Sequence, residues 1–514
     1  MRKLLCLLLA VVILFLCGCQ SNPDSPYVPT GDGLNWDTDT KPQETQPEEQ
    51  ELMMMYYPDS SMNPLYSTDV TNRTLFSLIY QSLFVVDNAY NVSPVLCKSY
   101  SYTRDMRMYT FYIADATFSD GSALTPEDVY ATYTAAMASG IYSGRFSHVY
   151  KLTLEEDGGI SFRLDTPMEN FTLLLDVPIL KASEINAEYP LGTGPYRFET
   201  TNSGARLRRR LRWWCSATLP INTSSIPLME AKSATHIRDS FEFSNVGLVC
   251  ADPSSASYAD YRCDYELWDC ENGNMLFLAC NLNSPVFSNA DLRSAITYAI
   301  DRNSIVDKIY RGFARSTSLP ASPQSPYYND SLAARYEYNP ALFAQAVKNA
   351  NIKQKDDEPI IFLVNKEDTI RLRVVRSIQD MFKACGLTLT LLELEQDKYL
   401  ETLKSGEYDL YLGQTRLSAN MDLTTFFSPT GSITYGGFAD TEIYSLCLDA
   451  LANRGNYYNL HAKIATDGRL CPILFQSYSI CATRGLASNL EPSRDNVFYY
   501  NLGLTMADIL QKEE

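Results

Sequence analysis

Hydrophobic positions recur along this chain in two registers, and their alternation organises residues 275–412. The unbroken apolar run Met275–Cys280 predicts a buried strand, and the polar, Pro-containing Asn281–Phe287 brings it out at a surface or a cleft. Leu292, Ala295, Ile296, Ala299 and Ile300 then share one face of a helix. Asp301 caps a second helix, which buries Ile305, Val306 and Ile309 and stops at Gly312. Asn339-Pro340 opens a third, turning Leu342, Phe343, Ala346, Val347 and Ala350 inward. The pattern continues as a strand over Ile360–Val364 and a helix over Ile370–Cys385 with Val374, Ile378, Met381 and Phe382 inward. A strand follows at Leu387, Leu389 and Leu391, then a helix over Asp397–Ser405 and a strand over Tyr408–Leu412. Strands and helices alternating at these lengths require a parallel sheet with right-handed crossovers, an α/β architecture. Such sheets bind ligands beyond the carboxyl ends of their strands, which makes Gly413–Asp422 a candidate site.

The remaining elements are shorter. Met53–Tyr57, Tyr109–Ile113 and Cys471–Cys481 read as strands, and Thr71–Leu83 and Ile443–Leu451 as helices. Thr125-Pro126-Glu127-Asp128 starts another helix: Thr125 caps it, Pro126 sits at its first position and the acids face its dipole. Residues 215–269 give only mixed strand and loop.

A chain of 514 residues exceeds a single compact core, so two or three domains are expected. Arg2 and Lys3 precede the apolar run Leu4–Leu16, which is too short to span a bilayer comfortably and reads as a processing signal. The run ends Leu16-Cys17-Gly18-Cys19, which resembles a bacterial lipobox with Cys19 as the acylated residue. Gln20–Glu51 is rich in Pro, Asp, Glu, Thr and Gln and cannot bury enough apolar surface to fold. As a coil of about 30 residues it reaches roughly 30 Å, enough to lift a body off a membrane.

The formal charge is −18, and losing Arg2 and Lys3 with the leader makes it more negative by two. An acidic body argues against nucleic acid and anionic lipid as partners but does not decide the charge of a small ligand. Arg206–Arg212 followed by Trp213 and Trp214 combines phosphate-binding and base-stacking residue types. Given the acidic whole, it reads as a strand with an Arg-rich solvent face. Cys280, Cys385 and Cys447 sit in apolar runs and behave as small hydrophobes, whereas a disulfide among Cys250, Cys263 and Cys270 stays open. Only His148, His236 and His461 are present, with no paired spacing, and the chain lacks G-x-x-x-x-G-K-[ST], H-E-x-x-H, G-x-S-x-G and S-x-x-K. No His-based metal site or triad and no cofactor is therefore expected; the 61 acids leave carboxylate pairs for glycoside hydrolysis open, but the chain is not read as an enzyme.

Three ordered motifs carry a resemblance. Asn281-x-x-x-Pro285-x-Phe287 leads into D-L-R-S-A-I-T-Y-A-I-D-R at Asp291–Arg302; F-S-D-G-S-x-L-T-x-E-D-V occupies Phe118–Val129; and Leu191-Gly-Thr-Gly-Pro-Tyr196 forms a turn. Together they resemble the family 5 extracellular solute-binding proteins, the oligopeptide- and dipeptide-binding components of ABC importers. The resemblance implies a two-lobe, type II periplasmic-binding-protein (Venus flytrap) α/β fold with an extra subdomain on the first lobe. It divides the chain into a signal at 1–19, a tether at 20–51, lobe I at 52–283 with the subdomain near 67–185, lobe II at 284–474 and a return to lobe I over 475–514. Its lobes hinge around Asn281–Pro285. It further implies a monomer that closes on a small-molecule or peptide ligand and docks on permease and ATPase subunits. Such a protein is held by lipid on the extracytoplasmic face of the cell membrane.

The resemblance places the loop with Asn63 and Tyr66 beside the ligand cleft, and Asn281 at the hinge. Gln414, Arg416, Ser418, Asn420 and Asp422 lie in the candidate loop after Leu412. Peptide binders of the family carry G-W-x-A-D-Y there, with an Asp for the peptide amino group. Here the segment lacks the Trp, and the Asp position falls on Ser418 or Ala419. Asp422 and Arg416 then hold a zwitterionic ligand, or Asp422 caps the following segment and Arg416 is solvated. A peptide is the first ligand class and another organic solute or a metal complex the second. A non-transport sensor or a secreted hydrolase on the same scaffold is the alternative function. If Cys19 is the lipidated residue, Cys19→Ser moves the protein from the membrane fraction to the medium; unchanged membrane retention rejects the anchor.

Overall fold

The computed structural model describes residues 52–215, 223–251, 261–352, 358–486 and 490–498. The leader, Cys19, the tether and the end of the C-terminal tail lie outside them. Among the described residues, one mixed sheet of eleven strands runs through the body. At one end Ile361–Asn365 lies parallel between Thr390–Leu394 and Leu410–Arg416. At the other, Met54–Tyr56 lies parallel to Ser225–Glu230 and Leu248–Ala251, and Gly204–Arg209 and Tyr196–Thr201 complete the edge.

Two long antiparallel strands, Tyr265–Cys280 and Leu470–Thr483, join these ends into one sheet and carry a lobe on each half. Tyr265–Glu271 pairs with Ser477–Thr483, which in turn holds Leu248–Ala251. Asn274–Cys280 holds Leu410–Arg416 instead. The register breaks between Glu271 and Met275, where Gly273 adopts a φ of +78°. The ladder therefore changes register there, ahead of Asn281–Pro285. Asn281 lies wholly within the second lobe, its Nδ2 donating to the carbonyls of Gly406 (3.0 Å) and Tyr408 (2.8 Å).

The unbroken apolar run has a two-sided cause. Leu276, Leu278 and Cys280 enter one core with Ile296, Ile305, Val374 and Phe382. Met275, Phe277 and Ala279 enter another with Leu403, Ile443 and Ile464. Successive strand residues point to opposite faces, so a strand covered by helices on both faces must be apolar at every position. Each such Leu, Ile or Phe contributes roughly 1.5–3 kcal/mol by leaving water.

The helices form over Ala290–Ala299, Arg302–Ile309, Pro340–Ala350, Thr369–Ala384, Gln396–Ser405 and Thr441–Ala452. Asp301 caps its helix by accepting from the Ser304 N–H at 3.0 Å. Three expectations are corrected. Leu342 stays 49% exposed, because Pro340–Ala350 buries little beyond Phe343. Leu387 and Leu389 are buried in the approach to a strand that pairs only from Thr390. The strand expected to stop at Leu412 runs on to Arg416, because Gly413–Arg416 stay laddered to Asn274–Phe277.

The first lobe carries an extra antiparallel sheet of Cys97–Tyr102, Met108–Ile113, Ile160–Leu164 and Val149–Leu154, packed under the helix Pro126–Ala138. Asp128 serves structure there: Oδ2 accepts from the Thr125 N–H (2.8 Å) and Oδ1 from the Ala182 N–H (2.7 Å). Arg208 and Arg209 are exposed on a strand, while Arg210 donates to the carbonyls of Thr117, Thr193 and Gly194. The Trp213 and Trp214 indoles donate to Thr193 O and Gln81 Oε1, so the Arg-Trp stretch is a folded edge. Cys263 and Cys270 are free thiols, as are Cys97, Cys280, Cys385, Cys447, Cys471 and Cys481.

The Gly192-Thr193-Gly194 turn presses against the end of the helix Val70–Ile79, four residues before its expected stop at Leu83. The Gly194 N–H donates to the Ile79 carbonyl at 2.8 Å, and a Cβ on Gly194 would lie 2.6 Å from that carbonyl carbon. Gly194→Ala is expected to destabilise the fold by about 2 kcal/mol through overpacking. Urea unfolding checks it, and an unchanged midpoint rejects this close-approach account.

Candidate functional site

Two adjoining cavities open where the lobes meet the crossing strands. One, of about 270 Å³, has Ser67, Thr68 and Arg73 on one side and Asn272 and Asn274 on the other. The second, of about 200 Å³, is walled by Arg145, Thr415, Ser418, Asp422 and Ser432. Ile141, Arg416 and Arg494 line both. Together they fall near the small end of the range for organic-ligand sites.

A charge cluster stands at their junction. The Asp495 side chain is 2% exposed. Its Oδ1 accepts from Arg145 Nη2 (2.6 Å) and from Arg416, and its Oδ2 from Arg494 Nε (3.1 Å). Arg73 Nη2 donates to the Asp495 backbone carbonyl at 3.0 Å. Arg145 also pairs with buried Asp176. Burial alone would raise the Asp495 pKa, but the arginines hold it well below the usual carboxylate range. Burial raises that of Asp176, against the pull of Arg145. Deeper in, burial likewise raises that of Glu271, which accepts from Tyr90 Oη (3.0 Å) and Ser322 Oγ (2.6 Å). Gly273 has a local reason at this junction: a Cβ there would meet Arg494 Nη2 at 2.7 Å.

The residues singled out in the sequence divide. Arg416, Ser418 and Asp422 converge on the second cavity. Arg416 is not solvated free of partners: its Nε donates to Asn272 O (3.0 Å), its Nη2 to Arg494 O (3.0 Å) and Asp495. Asp422 Oδ1 accepts from the Thr424 N–H at 2.8 Å, the capping alternative, and its Oδ2 lies 3.3 Å from His148 Nε2. Asn420 is buried beside Met168 Sδ (3.5 Å), and Gln414 accepts from Gln476 at 3.2 Å within the crossing strands. Asn63 is spent on the carbonyls of Ile185 and Ala187 (both 2.9 Å), and Tyr66 Oη donates to Asn186 (2.9 Å). Neither they nor Asn281 lines either cavity; Ser67 and Thr68, just past Tyr66, do. Arg73, Arg145, His148 and the adjacent pair Arg494-Asp495 had no signal in spacing, because they lie far apart in the chain or in no recognisable motif. Among the described residues no group of three His, Cys, Asp or Glu could hold a metal ion, and no helix is long and apolar enough to cross a membrane.

Residues 91–437 match the family model described as bacterial extracellular solute-binding proteins, family 5 middle. The chain belongs to this family. It is 23% identical over 465 residues to the oligopeptide-binding protein AppA of Bacillus subtilis, covering 79% of this chain and 82% of that one. It is 22% identical over 410 residues to heme-binding protein A of Haemophilus influenzae, covering 71% and 73%. The solved structure of HbpA2 from Haemophilus parasuis superposes with a TM-score of 0.73 at 16% identity, over 88% of this chain and 99% of that one. The fold is accordingly the two-lobe, type II periplasmic-binding-protein fold, with an extra subdomain on the first lobe. The chain is a solute-binding protein of the class that serves ABC importers.

In this family 5 protein the lobes touch across the cleft. The Glu169 N–H donates to Leu451 O at 2.9 Å, and Glu169 Oε2 accepts from the Arg454 N–H at 2.7 Å. His148, on the subdomain, joins Asp165 of its own lobe (Nδ1, 3.0 Å) to Asp422 of the other. Burial lowers the His148 pKa, but hydrogen bonds and charge from Asp422 and Asp165 outweigh it and raise it above 6.5. Burial raises the Asp422 pKa, but His148 and the Thr424 N–H leave it below 3.8 on balance. The histidine's contribution is full below its unfolded value and is lost as pH rises through its raised folded value. The aspartate's is full above 3.8 and is lost as pH falls through its lowered one. His148→Gln is therefore expected to cost about 2 kcal/mol at pH 6 and progressively less toward pH 9. Denaturation of both proteins across that range checks it; a constant difference assigns His148 to packing alone.

Proposed function

We propose that this protein is a lipid-tethered receptor that closes its two lobes over a small extracellular organic solute, a short peptide first among the classes, and delivers it to an ABC permease. The observation that carries the reading is the pair of cavities walled by both lobes and by the strands that join them. A site built this way is complete only when the lobes are together, so a ligand that fills it favours the closed state through its differential affinity. The pivot belongs at Glu271–Met275 and opposite it at Phe475–Ser477, where the ladder changes register. The cavity sizes favour a short peptide or a comparable solute over a long chain. The oligopeptide-binding relative supports a peptide, and the heme-binding one keeps another organic ligand in view.

Native mass spectrometry of freshly purified protein is expected to show a bound solute. Returning that solute to stripped protein should reduce the radius of gyration in small-angle scattering and raise the melting temperature by mass action. Binding without compaction would reject the closure mechanism, and turnover of the solute would reject the receptor role.

A further inference from the structure

The acids and cations on the cavity walls are unevenly matched. Four guanidinium groups, those of Arg73, Arg145, Arg416 and Arg494, gather round Asp495 and, through Arg145, Asp176. Of the carboxylates that line the cavities, Asp495 is taken by these arginines and Asp422 by His148 and the Thr424 N–H. Neither is free to receive an amine. On the cationic side there is capacity left. Arg494 is 6% exposed, lines both cavities and uses Nε on Asp495 and Nη2 on Leu417 O, but its Nη1 has no acceptor among the described residues. The Arg416 side chain keeps a third of its surface exposed on the same walls.

We propose that the cleft binds the anionic group of an acidic small solute, with Arg494 and Arg416 as its donors. A buried donor left without an acceptor is destabilising, and a planar guanidinium matches a carboxylate with paired, charge-assisted hydrogen bonds. A carboxylate arriving while the lobes are apart would meet the cationic excess of the cluster and complete its donor set as they close. Asn272, Asn274, Thr415 and Ser432 supply neutral polar contacts on the same walls for the rest of the molecule. The inference deepens the receptor reading and rests on it.

The carboxylate could belong to a free polycarboxylic acid or to an acidic short peptide. Calorimetry on the stripped full-length protein with citrate, tri-glutamate, tri-alanine and tri-lysine separates these sources. At least one acidic probe should bind tenfold or more tighter than tri-alanine, with tri-lysine weakest. Tight citrate would mark the free acid and tight tri-glutamate the peptide; either supports the proposal. Arg494→Gln should weaken the acidic probe at least tenfold while leaving Asp495 with three arginines. Should that variant not fold, the wild-type rank order decides alone. Tri-alanine or tri-lysine binding as tightly as the acidic probes overturns the anionic site and leaves the receptor standing. Failure of all four probes also overturns it, and a solute found by native mass spectrometry would then show that the receptor reading survives.

Discussion

Asp495 is the constraint on which the cleft depends. It draws together an arginine from the helix Val70–Ile79, one from the subdomain, one from a strand of the second lobe and its own neighbour Arg494. An ionised carboxylate out of water is tolerated only when charge and hydrogen bonds surround it, and the converse holds for the arginines. Removing Asp495 would leave largely buried guanidinium groups short of an acceptor, so distant segments are held to one another by a group near the end of the described chain. The cluster joins lobes as well as segments, because Arg145 and Arg416 meet at the same oxygen from opposite sides of the cleft.

That joining bears on how closure works. In the proposed closure the crossing strands act as the pivot and leave the preference between open and closed to other contacts. The preference arises from the contacts made across the cleft: Arg145 to Arg416 through Asp495, His148 to Asp422, and Glu169 to Leu451 and Arg454. These contacts are polar, and each group regains water when the lobes part, so their net contribution is modest. A modest preference is what a receptor needs. Were closure strongly favoured without ligand, the ligand would add little; were it disfavoured, most of the binding energy would be consumed in closing.

The fold was largely legible because apolar periodicity is a local property. Met275–Cys280 announced a buried strand, and Asp301 and Thr125 announced a cap and a helix start that the structure contains. Boundaries failed where tertiary contact overrode the local pattern. Tyr265–Asn274 is polar enough to hide its membership of a long strand, and Gly413–Arg416 stays in the sheet because a partner strand continues beside it. The cleft was legible only in part. Arg416 and Asp422 share a segment that strand order already marked as a candidate, whereas Arg73, Arg145 and Asp495 are brought together by the fold from sites far apart in the chain. A single sequence holds no spacing rule for such an assembly.

The sign of the whole protein and the sign of its cleft are separate quantities. A chain carrying −18 would be expected, as a whole, to repel anions. Charges on the solvated surface are screened over roughly 8 Å at physiological ionic strength, so from inside the cleft most of the acidic surface is electrostatically distant. Arg73, Arg145 and Arg494 around Asp495 are largely covered, and there the low-dielectric surroundings strengthen rather than screen their field. For the proposed anionic ligand, net charge would bear on how often it arrives, and the local imbalance of guanidinium over carboxylate on how long it stays. In the proposed receptor dissociation is the step that matters, and parting the lobes would readmit water to the same guanidinium groups and weaken their hold.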